Sequence, residues 1–255
     1  MVLTVDIGNT NISLGGFRTV DEAVFFARLS TDTAKTDDEY AAALLSLLSL
    51  RGVAREEING VILSSVVPPL NTVLQRALTM LFEQEVLIVG PGIKTGLNIH
   101  CDHPASVGAD MICAAVAGTR LYGSPAMVID LGTATKLMVI DRRGTFIGAA
   151  IMPGLHMGLD ALADGTAQLP RVSLEAPPTV IGKNTTDCMR SGVLYGHAAM
   201  LDGMIQRAQE ELGEEIPVYA TGGLAPLVLP HCRTRATIDE HLVLRGLYLI
   251  WEKNN

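Results

Sequence analysis

The stretch Met127-Val-Ile-Asp130-Leu-Gly132-Thr133-Ala-Thr135-Lys136-Leu-Met-Val-Ile140-Asp decides the fold. Two apolar runs rich in β-branched residues flank a short polar turn, the pattern of strand, tight turn, strand. An acid ends the first run, a glycine lets the backbone approach a ligand, and hydroxyls that bond an anion follow; such a turn suits phosphate held beside a cation. Taken alone, an ordinary hairpin with a polar tip would use the same residues. The N-terminus repeats the order in Leu3-Thr-Val-Asp6-Ile-Gly8-Asn9-Thr10-Asn11-Ile-Ser-Leu-Gly15-Gly16-Phe. Asp6 aligns with Asp130 and Gly8 with Gly132, an offset of 124 residues in a chain of 255. A repeat of about half the chain implies two similar halves, each presenting one acid-tipped turn to a shared cleft, rather than a solenoid.

With 48% hydrophobic residues the chain buries a sizeable core, enough for one large or two modest domains. Its net charge of −8 and its lack of a Lys/Arg run argue against a nucleic-acid partner. Asp6 and Asn9 interrupt the first apolar segment, and no later segment is apolar for eighteen residues, so neither a targeting segment nor a membrane span is expected. A cytoplasmic protein acting on a small molecule is the reading. Cys101, Cys113, Cys188 and Cys232 form no Cys-x-x-Cys pair and are expected as reduced thiols.

Along the chain, Thr36-Asp-Asp-Glu39 is a capping box that opens a helix running to Leu50, with Gly52 as its stop. Gly60 to Leu63 reads as a buried strand. Pro68 and Pro69 then suit the first turn of a helix whose stripe is Leu70, Val73, Leu74, Ala77, Leu78 and Leu81. Val86 to Val89 is a strand, and Gly90 to Asn98 a glycine-rich loop on which Lys94 is solvated or faces a second copy. His100-Cys101-Asp102-His103 holds four residue types able to bind metal, but adjacent loop residues seldom converge on one ion. His156, His197, His231 and His241 are assigned no metal either. Asp110 falls in the first turn of a helix from Met111 to Leu121, where a carboxylate favours the dipole. Asn184 or Thr185 caps a long helix to Leu212 with Gly192, Gly196 and Gly203 inside it, which points to close helix packing. Ile216 to Ala220 is a strand ending in Thr221-Gly222-Gly223, and His241 to Glu252 a closing amphipathic helix.

The paired turns resemble the two phosphate motifs of the acetate and sugar kinase, Hsp70 and actin superfamily. More narrowly, the chain resembles type III pantothenate kinase along nearly its whole length. The match rests on Asp6-Ile-Gly-Asn-Thr-Asn11, Ser64-Ser-Val-Val-Pro-Pro69, Val89-Gly-Pro-Gly-Ile-Lys-Thr-Gly-Leu-Asn98, Val107-Gly-Ala-Asp110, Asp130-Leu-Gly-Thr-Ala-Thr135, Gly182-Lys-Asn-Thr185 and Thr221-Gly-Gly223. The resemblance implies an α/β fold of two ribonuclease-H-like, actin-like ATPase domains, with mixed sheets flanked by helices, facing a central cleft. The boundary expected between them is at residues 1–120 and 121–255.

The resemblance further implies an ATP-dependent kinase that phosphorylates the primary hydroxyl of pantothenate, the first step of coenzyme A biosynthesis. Asp110 is then the catalytic base. Asp6, acting on Mg²⁺ through water, joins Gly8, Asn9, Thr10, Asn11, Gly132, Thr133, Gly222 and Gly223 around the nucleotide. Asp130 would hold a monovalent cation, K⁺ or NH₄⁺. Cys101, Gly108, Ala109, Asp110, Met111 and Thr185 would line the acceptor site, Thr185 across a homodimer. The chain departs from the family where it has Cys101-Asp-His-Pro104 in place of Tyr-Asp-Asn-Pro, Met111 in place of Arg, and Lys136 in place of the second Thr of Gly-Thr-Ala-Thr-Thr. Lys136 is expected to point at nucleotide or solvent. These departures keep two alternatives open: a non-catalytic or regulatory relative, or a subunit pairing with an active homologue, that keeps the nucleotide fold but not pantothenate turnover; and a kinase of a different small hydroxyl compound.

Overall fold

The first apolar run forms strand β1 (Val2–Ile7), which turns into β2 (Asn11–Thr19) and then β3 (Glu22–Ser30). β1 and β2 are antiparallel, with Val5 opposite Leu14 and Asp6 opposite Ser13. The chain continues through helix α1 (Asp37–Leu50), β4 (Gly60–Ser65), α2 (Pro68–Phe82), β5 (Val86–Ile88), the two-residue β6 (Asn98–Ile99) and α3 (Ala109–Ala117). In this computed structural model, which describes residues 1–255, the sheet runs β3-β2-β1-β4-β5. β4 lies parallel to β1, and β5 parallel to β4.

β1 is buried on both faces because helices cover both, which is why its sequence reads as a nearly unbroken apolar run. Side chains alternate across the sheet. Leu3, Val5 and Ile7 enter a core with Tyr40, Leu44, Leu70 and Leu74 of α1 and α2. Val2 and Ile62 enter a second core with Cys113 and Val116 of α3 and with Leu244 and Leu247 of the closing helix.

The second half follows the same plan with β7 (Ala126–Leu131), β8 (Ala134–Ile140), β9 (Thr145–Pro153), α4 (Leu155–Asp164), α5 (Thr185–Leu212), β10 (Val218–Thr221), α6 (Ala225–Val228), β11 (Thr237–Ile238) and α7 (Leu242–Asn254). Within it the strands lie in the order β11-β10-β7-β8-β9. β7-β8-β9 is the antiparallel meander, and β10 runs parallel to β7 as β4 does to β1. The repeat seen in the sequence is therefore a repeat of sheet topology. Met127, Ile129 and Leu131 pack with Leu194, Ala198, Leu201 and Ile205 of α5.

The chain divides into two units, Met1–Tyr122 together with His241–Asn255, and Gly123–Glu240. The internal boundary falls two residues beyond the expected one, and the closing helix α7 belongs to the first unit. Gly246 explains the placement, since a Cβ there would lie 1.9 Å from the Cys113 carbonyl oxygen, so α7 and α3 cross with their backbones in contact. No helix is long and apolar enough to cross a membrane.

Candidate active site

The period-2 alternation that sends Val5 and Leu63 toward α1 and α2 sends Asp6 and Ser64 toward α3. The two are direct partners across the parallel β1–β4 pair. The Ser64 hydroxyl donates to Asp6 Oδ1 at 2.5 Å, a charge-assisted bond that fixes the carboxylate. The turn after Asp6 is closed by the Gly8 amide donating to the Asn11 carbonyl at 3.0 Å. Thr31 braces it from β3's end, its hydroxyl donating to the Gly8 carbonyl at 2.6 Å and its amide to the Thr10 carbonyl at 3.0 Å. Asn9 and Thr10 stand exposed at the tip.

Asp110 sits in the first turn of α3 and is 7% exposed. Its Oδ1 accepts the Met111 amide at 2.7 Å, which orients the carboxylate at the helix start. A Cβ at Gly108 would lie 2.7 Å from that same oxygen, so a larger residue there would push the carboxylate from this position. One turn along α3, Cys113 is fully buried. Burial raises its thiol well above the ordinary value, and the Asp6 and Asp110 charges raise it further against a hydrogen bond with Ser64. The same thiol thus senses both carboxylates, and Asp6, Ser64, Asp110 and Cys113 form one cluster in the first unit. Sequence reasoning assigned no role to Ser64 or Cys113. The signal for Ser64 was its place at the end of a buried strand; its pairing with Asp6 depends on a parallel crossover that local pattern does not reveal.

In the second unit Asp130 occupies the position equivalent to Asp6, and its neighbours differ. On β8 its direct partner is Lys136, and on β10 it is the buried Thr221. Lys136 Nζ donates to Asp130 Oδ2 at 3.0 Å, with the two side chains only 18% and 14% exposed. The expectation that Lys136 points at nucleotide or solvent is corrected: it turns back on the acid of its own hairpin, as directly opposed residues on one sheet face can. The tip is held by backbone approach. A Cβ at Gly154 would lie 2.1 Å from the Thr133 carbonyl oxygen, and one at Gly222 would lie 2.5 Å from that of Leu131. Gly222 also has φ +92, a conformation that favours glycine. Thr133 and Gly223 are exposed. Beneath the tip, the buried Thr135 hydroxyl and His197 Nε2 are 2.9 Å apart. Burial lowers the His197 pKa, so its imidazole is neutral and the hydroxyl can act as donor or acceptor to it.

The acceptor-site candidates are less concentrated. Cys101 lies half-buried on a loop, its thiol pKa raised by burial and by Asp102. Met111 is buried beside Asp110. Gly108 and Ala109 lead directly into Asp110. Thr185 is the exposed first residue of α5, in the second unit, behind the cap that Asn184 makes with the Asp187 amide at 2.9 Å. No group of three or more His, Cys, Asp or Glu side chains is arranged to hold a metal ion.

Comparison with known proteins shows the family and the fold. The chain is similar, at 46% identity over 254 residues covering 100% of it and 99% of the relative, to the type III pantothenate kinase of an Exiguobacterium species. Among solved structures it resembles the activator of 2-hydroxyisocaproyl-CoA dehydratase from Clostridium difficile with bound ADPNP, with a TM-score of 0.57 at 13% identity, covering 99% of this chain and 94% of that one. It also resembles a ROK family glucokinase from Streptomyces griseus in complex with glucose and AMPPNP, with a TM-score of 0.55 at 13% identity, covering 98% of each chain. At such identities these likenesses show the fold, an α/β architecture of the actin-like ATPase kind. The model of the type III pantothenate kinase family matches residues 2–207, and the chain belongs to that family.

Proposed function

We propose that this protein transfers the γ-phosphoryl group of ATP to the primary hydroxyl of pantothenate, the step that opens coenzyme A synthesis. The observation that carries the reading is the buried cluster in the first unit, where the Met111 amide fixes Asp110, the Ser64 hydroxyl fixes Asp6, and the charges of both acids raise the pKa of the Cys113 thiol. Phosphoryl transfer asks a protein mainly for positioning and charge neutralisation. Asp110 is the group to accept the hydroxyl proton, because its buried place at a helix start and the bond from the Met111 amide keep its carboxylate oriented. Gly8, Asn9, Thr10 and Asn11 of the first unit, and Gly132, Thr133, Gly222 and Gly223 of the second, are assigned to the nucleotide.

Of the two cations that the family resemblance implies, Mg²⁺ fits Asp6. Mg²⁺ is ordinarily held by one or two carboxylates together with water and substrate phosphates, not by a cage of protein ligands, and Asp6 with its Ser64 brace supplies a carboxylate of that kind. When bound, Mg²⁺ neutralises charge on the phosphates. A monovalent cation at Asp130 meets instead the Lys136 ammonium. We assign the protein to the cytoplasm, with a small-molecule substrate, and as a homodimer in which Thr185 bonds the acceptor across the interface. In support of an open face on α5, a Cβ built at Gly192 or Gly196 meets no atom within 4 Å.

The test is ADP release with Mg²⁺-ATP and a panel of hydroxyl acceptors. Pantothenate-dependent ADP release with formation of a phosphomonoester is expected. Turnover of another acceptor with pantothenate inert would replace the substrate assignment, and nucleotide binding without turnover of any acceptor would favour the non-catalytic alternative.

A further inference from the structure

The second hairpin contains a cation of its own. Asp130 and Lys136 are direct cross-strand partners on one face of the sheet, and Lys136 Nζ donates to Asp130 Oδ2 at 3.0 Å. Both side chains are largely shielded from water. In the first hairpin the partner of the aligned acid is neutral: Asp6 lies opposite Ser13. The third neighbour of Asp130 is the buried hydroxyl residue Thr221, so the charge set against this carboxylate across the strands comes from Lys136.

A Lys ammonium is a compact, strongly hydrated point charge on a flexible stem, similar in kind to a small monovalent ion. A free K⁺ bound to the same carboxylate would sit within contact distance of a like charge in a partly buried place, where repulsion is screened little. The residues therefore do not fit a monovalent metal ion at Asp130. We propose that the Lys136 ammonium serves as the resident monovalent cation of this chain, tethered at Asp130 in the place of K⁺ or NH₄⁺, so that nucleotide binding requires no added monovalent ion. The proposal rests on the nucleotide-binding reading above and adds a property to it. A tethered cation is present at every turnover, whatever the ionic composition of the medium.

The test is calorimetric binding of a non-hydrolysable ATP analogue with Mg²⁺, at constant ionic strength, with K⁺, Na⁺ or the bulky tetramethylammonium as the sole monovalent cation. For the unmodified chain the affinities in the three media should agree within about twofold, the coupling expected of an ion without a site. K136T restores the residue found in the family. Its affinity in tetramethylammonium should fall by roughly 10- to 150-fold, the value of a charged hydrogen bond, and return toward that of the unmodified chain when K⁺ is supplied. A second readout needs no nucleotide: K⁺ should raise the melting temperature of K136T and leave that of the unmodified chain unchanged. The comparison on the unmodified chain stands even if K136T does not fold. A tenfold or greater demand for K⁺ by the unmodified chain overturns the proposal while leaving nucleotide binding intact, as does a weakened K136T that K⁺ fails to rescue. Absence of nucleotide binding in all three media removes both this proposal and the nucleotide reading.

Discussion

The two acid-tipped hairpins share topology and differ in chemistry. In the first, Asp6 is seven residues from its cross-strand partner Ser13; in the second, Asp130 is six residues from Lys136. The shorter second turn brings a different residue opposite the acid, and that residue carries a charge. Asp6 is braced by the Ser64 hydroxyl, and its charge acts with that of a second carboxylate, Asp110, on the Cys113 thiol. Asp130 is neutralised within its own hairpin. A duplicated backbone thus carries one acid braced by a hydroxyl and another paired with a lysine of its own hairpin.

The comparison breaks most visibly at Asp110, the buried carboxylate at the start of α3 in the first unit. Asp110→Asn should lower kcat by about 10²- to 10⁴-fold, the usual contribution of a general base, with the affinity for ATP changed little. Single-turnover kinetics beside equilibrium nucleotide binding check it. Turnover close to that of the unmodified chain would leave Asp110 with the lesser role of a helix-start carboxylate.

Crossed substitutions in the two hairpins sharpen the contrast. Asp130→Asn removes one partner of a shielded ion pair and should cost about 3 kcal/mol of stability, at the lower end for such pairs because both side chains keep some exposure. Asp6→Asn keeps an oxygen that can accept from the Ser64 hydroxyl, so it should change the melting temperature less while abolishing the Mg²⁺-dependence of nucleotide binding. Denaturant melts and calorimetry on both variants give the comparison. Equal loss of stability would show that the two acids play the same structural part.

How far these differences were legible depends on the range of the interaction. The capping box was readable because both of its bonds are local: the Thr36 amide donates to Glu39 Oε2 at 2.8 Å, and the Glu39 amide to Thr36 Oγ1 at 3.3 Å. The hairpins and the prolines opening α2 were readable for the same reason. The parallel neighbours Ser64 and Thr221 were not, since a crossover connection leaves no trace of register in local pattern. Nor was the home of α7, whose amphipathic pattern says that one face is buried but not against which helix. The direction of Lys136 was misjudged for a related reason: its partner follows from the length of the turn, where one residue more or fewer changes which side chains meet.

The second tip also differs in relying on close backbone approach at Gly222, which stands against Leu131 with φ +92. Gly222→Ala should cost about 1–3 kcal/mol through overpacking against backbone that cannot yield cheaply. The equivalent change at Gly8 should be milder, because its nearest atom would be 3.1 Å away and its φ is unremarkable. Thermal unfolding of the two variants ranks them, and a milder effect at Gly222 would contradict the reading of that turn.

The smallest expected effect concerns pH, and it too separates the hairpins. Thr135 of the second hairpin meets the buried His197, whose pKa is lowered by burial, whereas no histidine stands in the cluster around Asp6. In the unfolded chain the imidazole titrates near its ordinary value of about 6.5. With the folded value below that, the unfolded state binds more protons in the window between the two values, so stability rises with pH there. Above about pH 6.5 the penalty is absent, and it grows as the pH falls through 6.5 toward the folded value. Asp202, which burial would raise, is held below its ordinary value by the Arg233 and Thr234 amides, so its contribution is lost only in more acidic solution. Melting temperatures between about pH 7.5 and 5.5 should therefore fall for the unmodified chain and fall less for His197→Gln, which keeps a hydrogen-bonding group for Thr135 without a titrating ring. Parallel curves for the two proteins would show that His197 is not the group responsible and that the second hairpin has no such acid sensitivity.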